Sequence, residues 1–319
     1  MAEIVCLGEL LIDFVPTVTG VGLDGAETFR KAAGGAPANV AVGLARLGVA
    51  SAFMGKVGED GFGHFLADTL TAAGVDTGPL LFAAGAPTSL AFVSLAADGD
   101  REFLFYRERA ADILFAPEDV DAAAIAACQV LHYGSISLIA DPCRSATLHA
   151  IALSRQHGVR RSYDPNLRLA LWPDAANAKA GMRLGLSHAE VMKIGAEEVE
   201  FLTGETDIER GVQALWHDEL MLVAVTAGRE GCTWFTREAS GAVPGFSVAA
   251  IDATGAGDAF MAGLLAEWVR AGQPLDGPAL DRICRVANAA GAVTTTARGA
   301  IPSLPDRAAI DRLLAGQGE

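Results

Sequence analysis

Long hydrophobic runs and basic clusters are both scarce in this sequence of 319 residues. No apolar run approaches the roughly 20 residues that a membrane-spanning helix needs, so no contact with a membrane is expected. The net charge of −15 leaves no basic stripe to replace the counterions of a nucleic acid, which argues against nucleic acid as a partner. Any phosphate-bearing ligand would have to be held locally, by helix N-termini, a few arginines and a divalent metal ion.

The cysteines are few and lack the spacing of metal ligands. Most of them lie in apolar surroundings, so we interpret them as reduced core thiols of a cytoplasmic protein. No basic segment precedes the first predicted strand, so no signal peptide is expected. The five cysteines are Cys6, Cys128, Cys143, Cys232 and Cys284.

Apolar runs typical of strands alternate with helical patterns along most of the chain. This alternation predicts an α/β fold with a doubly wound, mostly parallel sheet and helices on both faces. No repeat and no linker divides the chain, so residues 1–319 are expected to form a single domain. Strands are predicted at 4–7, 51–54, 130–133, 159–163, 191–194 and 220–225, and helices at 36–47, 62–73, 146–157 and 196–202.

One region departs from this alternation. Two β-type runs, 90–96 and 102–106, flank an Asp-Gly turn, which is a hairpin signal. With the segment after the first strand, this hairpin is expected to form a small antiparallel β lid from residues 13–30 and 87–110. Such a lid would cover a substrate cleft and exclude water. An ordinary edge hairpin is the alternative.

The most informative segment is the run DATGAGDAF, which begins at Asp252 and opens a helical pattern. The backbone N–H groups of Gly255, Ala256 and Gly257 would lie at the positive end of the helix dipole, where anions bind. Asp258 would add negative charge beside such an anion. We therefore interpret Asp258 as a general base, which takes a proton from an attacking hydroxyl while the amides hold the anion.

Two other glycine-rich motifs are excluded. A Walker A loop requires the pattern GxxxxGK[ST], which occurs nowhere in the chain. A dinucleotide fingerprint requires glycine where Phe260 stands and belongs in the first strand–helix unit, so a nicotinamide-dependent dehydrogenase is disfavoured. A plain glycine-rich turn entering a buried helix remains the alternative to an anion site.

A second glycine-rich segment opens a helix near the N-terminus. It contains Gly34, Gly35 and Asn39, and Asp13 follows the first predicted strand. A carboxylate and an amide can bind adjacent hydroxyls, and glycines let the backbone come close to a ligand. The segment therefore favours a polyhydroxylated ligand, with a tight turn and a capping Asn as the alternative.

Taken together, the two segments resemble the signature regions of the PfkB (ribokinase-like) carbohydrate kinase family. The pattern from Gly34 to Asn39 is similar to the first signature, and the pattern from Asp252 to Asp258 is similar to the second. The resemblance extends over essentially the whole chain. It implies ATP-dependent phosphorylation of a sugar, with Asp258 as the base and residues 255–257 as the anion hole.

The resemblance also implies a nucleotide site. Thr226, Gly228 and Gly231 are similar to the family's nucleotide-binding turn after a late strand. Lys193 and Asn288 are expected to contribute to the same site.

Two kinds of metal ion are implied as well. Glu198 matches a glutamate linked to the water network of Mg²⁺, although Gly195 stands where many members carry Asn. The run from residue 294 to 303 resembles a loop that holds a monovalent cation such as K⁺. The positions implied for that cation are Asp252, Thr254, Thr294, Ala297, Gly299 and Ser303.

Three local runs, 8–13, 105–107 and 164–172, are most similar to those of bacterial fructokinases. Arg107 and Arg168 would contact sugar oxygens or the transferring phosphate, with plain surface charge as the alternative. The implied enzyme is a phosphotransferase with an alcohol acceptor that converts fructose to fructose 6-phosphate. A 2-keto-3-deoxygluconate kinase is the nearest competitor, and a non-catalytic sugar-binding regulator is the alternative of another class.

A homodimer is predicted through the lid. Phe92, Phe103 and Phe105 give the hairpin more apolar surface than a lone flap can bury, and lids of relatives often pair between subunits.

Overall fold

The computed structural model describes residues 1–18, 20–95, 101–272 and 275–316, and the side chains of 94–95 and 101–103 are outside this description. The predicted Asp-Gly turn at 97–100 and the side chain of Phe103 therefore lie outside the described residues. The strands are β1 (Ile4–Leu7), β2 (Leu11–Pro16), β3 (Phe29–Gly34), β4 (Ser51–Gly58), β5 (Leu80–Ala83), β6 (Leu90–Leu95), β7 (Arg101–Tyr106), β8 (Val130–Gly134), β9 (Arg160–Asp164), β10 (Val191–Gly195), β11 (Leu222–Thr226), β12 (Gly231–Phe235) and β13 (Ser240–Pro244).

Helices lie between most of the strands and close the chain. They are α1 (Ala36–Arg46), α2 (Gly61–Ala72), α3 (Ala122–Ala127), α4 (Cys143–Gln156), α5 (Ala175–Leu186), α6 (Ala196–Thr203), α7 (Ile208–Leu215), α8 (Ala256–Ala271), α9 (Gly277–Thr294), α10 (Ala300–Ser303) and α11 (Arg307–Gly316).

Within the described ranges, the larger sheet has nine strands in the order β13-β12-β11-β10-β9-β8-β1-β4-β5. The strands from β11 to β5 pair in parallel, and β12 and β13 are added antiparallel at one edge. The prediction of a doubly wound, mostly parallel sheet is confirmed.

Both faces of this sheet are covered, as β1 illustrates. Ile4 and Cys6 belong to one core cluster, whereas Val5 and Leu7 belong to the other. Successive side chains of a strand point to opposite faces, so a strand between two helical layers must be apolar throughout. All five cysteines are free and buried, which confirms their interpretation as core thiols.

The predicted elements are present, with differences at their ends. β1 has the predicted bounds, whereas β4 continues four residues further, to Gly58. α4 begins at Cys143, ahead of the predicted start at 146. The end of an element depends on caps and tertiary contacts, which periodicity does not report.

The smaller sheet has the order β3-β2-β6-β7. The predicted antiparallel pairing holds for β2 with β3 and for β6 with β7, but β2 and β6 pair in parallel. The smaller sheet, called the lid sheet below, is therefore mixed. β2 and β6 both enter it in the same direction from the larger sheet and its helices, here called the body. Phe14 and Phe92 stack at the centre of the lid sheet with ring centroids 4.9 Å apart.

α1 and α8 pack closely in the same direction. A Cβ atom at Gly43 would lie 2.6 Å from Cβ of Ala262, so only glycine allows this approach. Asn39 and Asp258 lie four residues earlier on their respective helices, and they are in contact as well. The close packing of these two helices thus places the two glycine-rich segments side by side. No helix in the described ranges is both long and apolar enough to cross a membrane.

Candidate active site

Many of the predicted catalytic and ligand-binding residues lie near the carboxyl ends of the strands of the larger sheet. β9, β10 and β11 end there at Asp164, Gly195 and Thr226. Lys193, near the end of β10, extends its side chain to the start of α8. Its Nζ atom lies so close to Gly257 that a Cβ atom built on this glycine would be 3.0 Å from it. Ligands of open α/β sheets bind at this edge.

Asn39 and Asp258 join the two predicted segments. The Nδ2 atom of Asn39 donates a hydrogen bond of 2.7 Å to Oδ2 of Asp258, and both side chains are buried. The Oδ1 atom of Asn39 is buried without a hydrogen-bond partner among the described residues. Buried polar atoms are rarely left unpaired, so this oxygen is suited to accept a hydrogen bond from a ligand hydroxyl.

Asp258 has an altered proton affinity. Burial raises the pKa of its carboxyl group, against the hydrogen bond from Asn39 and the positive charges of Lys193 and Arg168, which lower it. The net direction is upward, because desolvation of the charged form outweighs the favourable partners. A carboxylate that holds a proton more strongly than usual is a better acceptor for a hydroxyl proton.

Asp13 lies next to this pair. Burial raises the pKa of Asp13 to about 7, with Arg168 opposing the shift and the charge of Asp258 adding to it. A Cβ atom at Gly34 would stand 2.1 Å from Oδ2 of Asp13. Glycine is therefore required at this position if the carboxylate is to lie there.

Gly35 has a different role in the same turn. Its φ angle is 112°, in the region that favours glycine, and a Cβ atom would lie 2.3 Å from the carbonyl oxygen of Glu9. The first glycine thus makes room for Asp13, and the second lets the chain turn into α1.

Lys193 forms a buried ion pair with Asp164. Its Nζ atom lies 3.1 and 3.0 Å from the two carboxylate oxygens. Burial lowers the pKa of Lys193, but the carboxylates of Asp164, Glu198 and Asp258 raise it by more, so the ammonium stays charged. A fixed positive charge therefore lies beside Gly257, where the anion hole was predicted. The sequence did not lead us to assign Asp164 to the site, although this residue directly follows the strand predicted at 159–163.

The predicted anion hole lies at the N-terminus of α8. Gly255 precedes the helix with a φ angle of 79°, and a Cβ there would lie 2.8 Å from Cβ of Ala300. The amide of Ala256 donates to the carbonyl of Ala253 at 3.2 Å in this structure, so it would have to leave this contact to bind an anion. Gly257 follows within the first helical turn, where N–H groups lack intrahelical partners.

Asp252 connects the catalytic segment with the C-terminal loop. Its Oδ1 atom accepts hydrogen bonds from the amide and hydroxyl of Thr254 at 2.9 and 2.6 Å, and its Oδ2 atom accepts one of 2.9 Å from the amide of Gly299. The structure therefore brings together the two segments that were predicted to hold a monovalent cation.

The other predicted cation positions use their hydroxyls locally. Thr294 donates to the carbonyl of Ala290 at 2.9 Å, and Ser303 donates to the carbonyl of Ala300 at 2.9 Å. Ala297 is exposed in the connecting loop. A cation in this loop would thus depend largely on backbone carbonyl oxygens.

Glu198 connects two backbone segments at the same edge. Its Oε1 atom accepts from the amide of Leu167 at 2.6 Å, and its Oε2 atom accepts from the amide of Gly195 at 2.8 Å. The described residues contain no group of three or more acidic, His or Cys side chains that could hold a metal ion directly. Contact with Mg²⁺ through water fits this arrangement, because each carboxylate oxygen can accept a second hydrogen bond.

The predicted nucleotide-binding residues surround the ends of β11 and β13. Thr226 ends β11, and Gly228 and Gly231 have positive φ angles in the turn to β12. Asn288 on α9 donates from Nδ2 to the carbonyl of Val243 at 3.0 Å. A Cβ at Gly231 would lie 2.2 Å from the same carbonyl, so these positions share one small region.

The two predicted arginines are in different surroundings. Arg168 is half-buried, and its charge lowers the pKa values of both Asp13 and Asp258. Arg107 lies in a separate buried group, where its Nε atom donates to Asp112 at 2.7 Å. Of the two, Arg168 is the one that the structure brings to the Asp258 group.

The chain is similar to carbohydrate kinases over nearly all of its length. The family described as pfkB family carbohydrate kinase matches residues 1–307. A relative named probable fructokinase-4, from Arabidopsis thaliana, is 48% identical over 315 residues, which are 98% of this chain and 97% of the relative.

Solved structures show the same similarity. Fructokinase from Xylella fastidiosa with bound ATP superposes with a TM-score of 0.91 at 35% identity, over 100% of both chains. A double mutant of fructokinase from Vibrio cholerae O395, solved in a fructose, ADP and potassium ion bound form, gives a TM-score of 0.87 at 37% identity over 98% of each chain.

We expect Lys193→Met to destabilise the protein, because it leaves Asp164 buried without its counter-charge. Breaking a buried pair in this way costs about 3–5 kcal/mol, whereas replacing both partners by apolar residues is often nearly neutral. The free energy of unfolding in urea should therefore fall in Lys193→Met and recover in the double variant Lys193→Met/Asp164→Leu. Lys56→Met, which removes a lysine from a more exposed pair with Asp119, is the control. Equal losses in the two single variants would contradict this expectation.

Proposed function

Because the chain belongs to the pfkB family of carbohydrate kinases, we propose that it transfers the γ-phosphoryl group of ATP to fructose, giving fructose 6-phosphate. The observation that carries this proposal is the hydrogen bond between Asn39 and Asp258, because it joins the sugar-binding segment to the catalytic segment. The choice of fructose is supported by relatives that bear the name fructokinase and match over 98% or more of this chain.

The sugar is oriented by Asp13, Asn39 and the turn at Gly34 and Gly35. Asp13 supplies carboxylate oxygens, and the unpaired Oδ1 atom of Asn39 accepts from a further hydroxyl. Arg168 adds donors on the same side, and its charge lowers the pKa values of Asp13 and Asp258 against the larger effect of burial. Fixed acceptors at several positions select a polyhydroxylated ligand.

Asp258 is the general base. Its carboxylate accepts the proton of the terminal hydroxyl as the oxygen attacks the γ-phosphorus and the bond from that phosphorus to ADP breaks. The proton stays on the carboxyl group until the product leaves. Asn39 holds one carboxylate oxygen in place, so the other faces the substrate. The raised pKa of Asp258 favours this transfer.

The negative charge of the transferring group is balanced by the start of α8. The amides of Gly255 and Gly257 and the ammonium of Lys193 supply fixed positive charge, which stabilises a phosphoryl transition state. The turn from Thr226 to Gly231 and Asn288 hold the nucleotide on the other side.

Glu198 would position Mg²⁺ through water, and the loops joined by Asp252 would hold K⁺. When bound there, Mg²⁺ would supply positive charge that offsets the charge of the phosphates. The ordered contacts of Glu198 with Leu167 and Gly195 fix its carboxylate for this role. A monovalent cation beside Asp252 would stabilise the loop that carries the start of α8.

A coupled assay of ATP consumption over fructose, ribose, 2-keto-3-deoxygluconate, tagatose and adenosine tests the proposed substrate. We expect fructose to give the highest kcat/KM. Preference for 2-keto-3-deoxygluconate would identify a sugar-acid kinase instead. Absence of phosphoryl transfer to every compound would contradict the proposed activity.

Asp258→Asn tests the proposed base and separates an enzyme from a sugar-binding regulator. We expect turnover to fall by about 10²–10⁴-fold, the usual contribution of a general base, while calorimetry shows that fructose still binds. Asp174→Asn, at the exposed N-terminus of α5, is the matched control and should retain full activity. Unchanged turnover in Asp258→Asn would show that another group accepts the proton.

A homodimer through the lid is proposed on the basis of its exposed apolar surface. Leu104 and Tyr106 are 46% and 59% exposed, whereas Phe105 is half-buried, so the first two replace Phe105 as the expected contacts. Leu104→Asp should give monomers in sedimentation velocity and raise the sugar KM, because closure is impaired. Phe82→Asp, outside the lid sheet, is the control. A wild-type protein that is monomeric at micromolar concentration would contradict the dimer.

A further inference from the structure

The described chain passes four times between the body and the lid sheet. It enters β2 from β1 through Glu9, and it returns from β3 to α1 at Ala36. It enters β6 directly after Ser89, and it leaves β7 at Arg107. Any movement of the lid relative to the body must therefore change the backbone at these four connections.

One buried polar group, here called the hinge cluster, has members at all four passages. It consists of Glu9, Ser89, Arg107 and Asp112 together with the amide of Ala36. Arg107 donates from Nε to Oδ2 of Asp112 at 2.7 Å, and Ser89 donates its hydroxyl to Oδ1 of Asp112 at 2.6 Å. Two of the four connections to the lid are thus bound to one carboxylate.

Glu9 connects the other two passages. Its Oε1 atom accepts a hydrogen bond of 3.1 Å from the amide of Ala36, at the start of α1. Its Oε2 atom is buried without a hydrogen-bond partner among the described residues. Burial raises the pKa of Glu9 to about 7, while the charge of Arg107 lowers it and that of Asp112 raises it. The charge of Arg107 therefore favours the ionised form of this buried carboxylate, although burial has the larger effect.

The position of this cluster relates it to sugar binding. Ala36 directly follows the turn at Gly34 and Gly35, which makes room for Asp13. Asn39 lies one turn further along α1, where its backbone N–H group donates a hydrogen bond to the carbonyl of Gly35. A shift of the Ala36 amide would move these sugar-binding groups together.

We propose that Glu9 is a positioning residue, which couples the lid strands to the sugar-binding turn through Arg107 and the amide of Ala36. Glu9 is 3% exposed and contacts none of the groups assigned to proton or phosphoryl transfer. Glu9 stabilises the position of the lid strands in which the lid lies over the bound sugar. The inference depends on the proposed sugar kinase activity, because the sugar is the ligand that closure would retain.

Glu9→Gln tests this coupling with a minimal change. The glutamine oxygen can still accept from Ala36, but the negative charge facing Arg107 is lost. We expect the fructose KM to rise about tenfold, because the charge attraction between Glu9 and Arg107 is lost, while kcat and the ATP KM stay within about threefold. Glu190→Gln is the control. Glu190 is another buried carboxylate, and it pairs with the buried Arg161, but it lies before β10, at the amino ends of the strands.

Hydrogen exchange of the lid-sheet amides with and without fructose gives a second readout that does not depend on turnover. Fructose should protect these amides in the wild type and in Glu190→Gln, and less so in Glu9→Gln. If Glu9→Gln does not fold, Ser89→Ala, which removes only the hydroxyl on Asp112, should show a smaller change in the same direction.

Equal fructose KM values in the two glutamine variants, or a fall in kcat alone, would overturn the role of Glu9. Absence of phosphorylation by the wild type would instead refute the proposed activity. Fructose-dependent protection of the lid would still be measured in that case, and equal protection in all variants would overturn the coupling separately.

Discussion

A buried carboxylate at the start of a helix is the constraint on which the site depends. Asp258 loses hydration by burial, which alone would favour its neutral form. Asn39 supplies a hydrogen bond, and Lys193 and Arg168 supply positive charge. The close packing of α1 on α8, which requires Gly43, brings Asn39 to this position. The core packing and the chemistry of the site therefore depend on the same two helices.

Local charge compensation explains how a protein with a net charge of −15 can act on an anionic nucleotide. Several carboxylates around the site are paired with a cation or hydrogen-bonded. Lys193 pairs with Asp164, and Asp252 accepts hydrogen bonds from Thr254 and Gly299. The ammonium of Lys193 and the N-terminus of α8 then supply positive charge at the proposed position of the phosphates. For nucleotide binding, the arrangement of charged groups within a few ångströms of the site is more important than the net charge of the protein.

Much of the fold could be predicted from the sequence, because the spacing of apolar residues indicates secondary structure. The run 4–7 indicates a strand, and the pattern at 36–47 indicates a helix. The segments around Gly35 and Gly255 were identifiable since glycine is required where φ is positive and the backbone comes close. The parallel pairing of β2 with β6 was not predictable, because it depends on how distant segments meet. The same holds for the hinge cluster, and for the separation of Arg107 from Arg168.

In the proposed mechanism, Asp258 faces the hydroxyl that receives the phosphoryl group. A crystal structure with fructose and a non-hydrolysable ATP analogue would show this contact. We expect the terminal hydroxyl within about 2.6–3.2 Å of Asp258, with the γ-phosphorus on the far side of that oxygen and next to the start of α8. A complex in which that hydroxyl faces another residue, or in which fructose binds away from Asp13 and Asn39, would refute the proposed site.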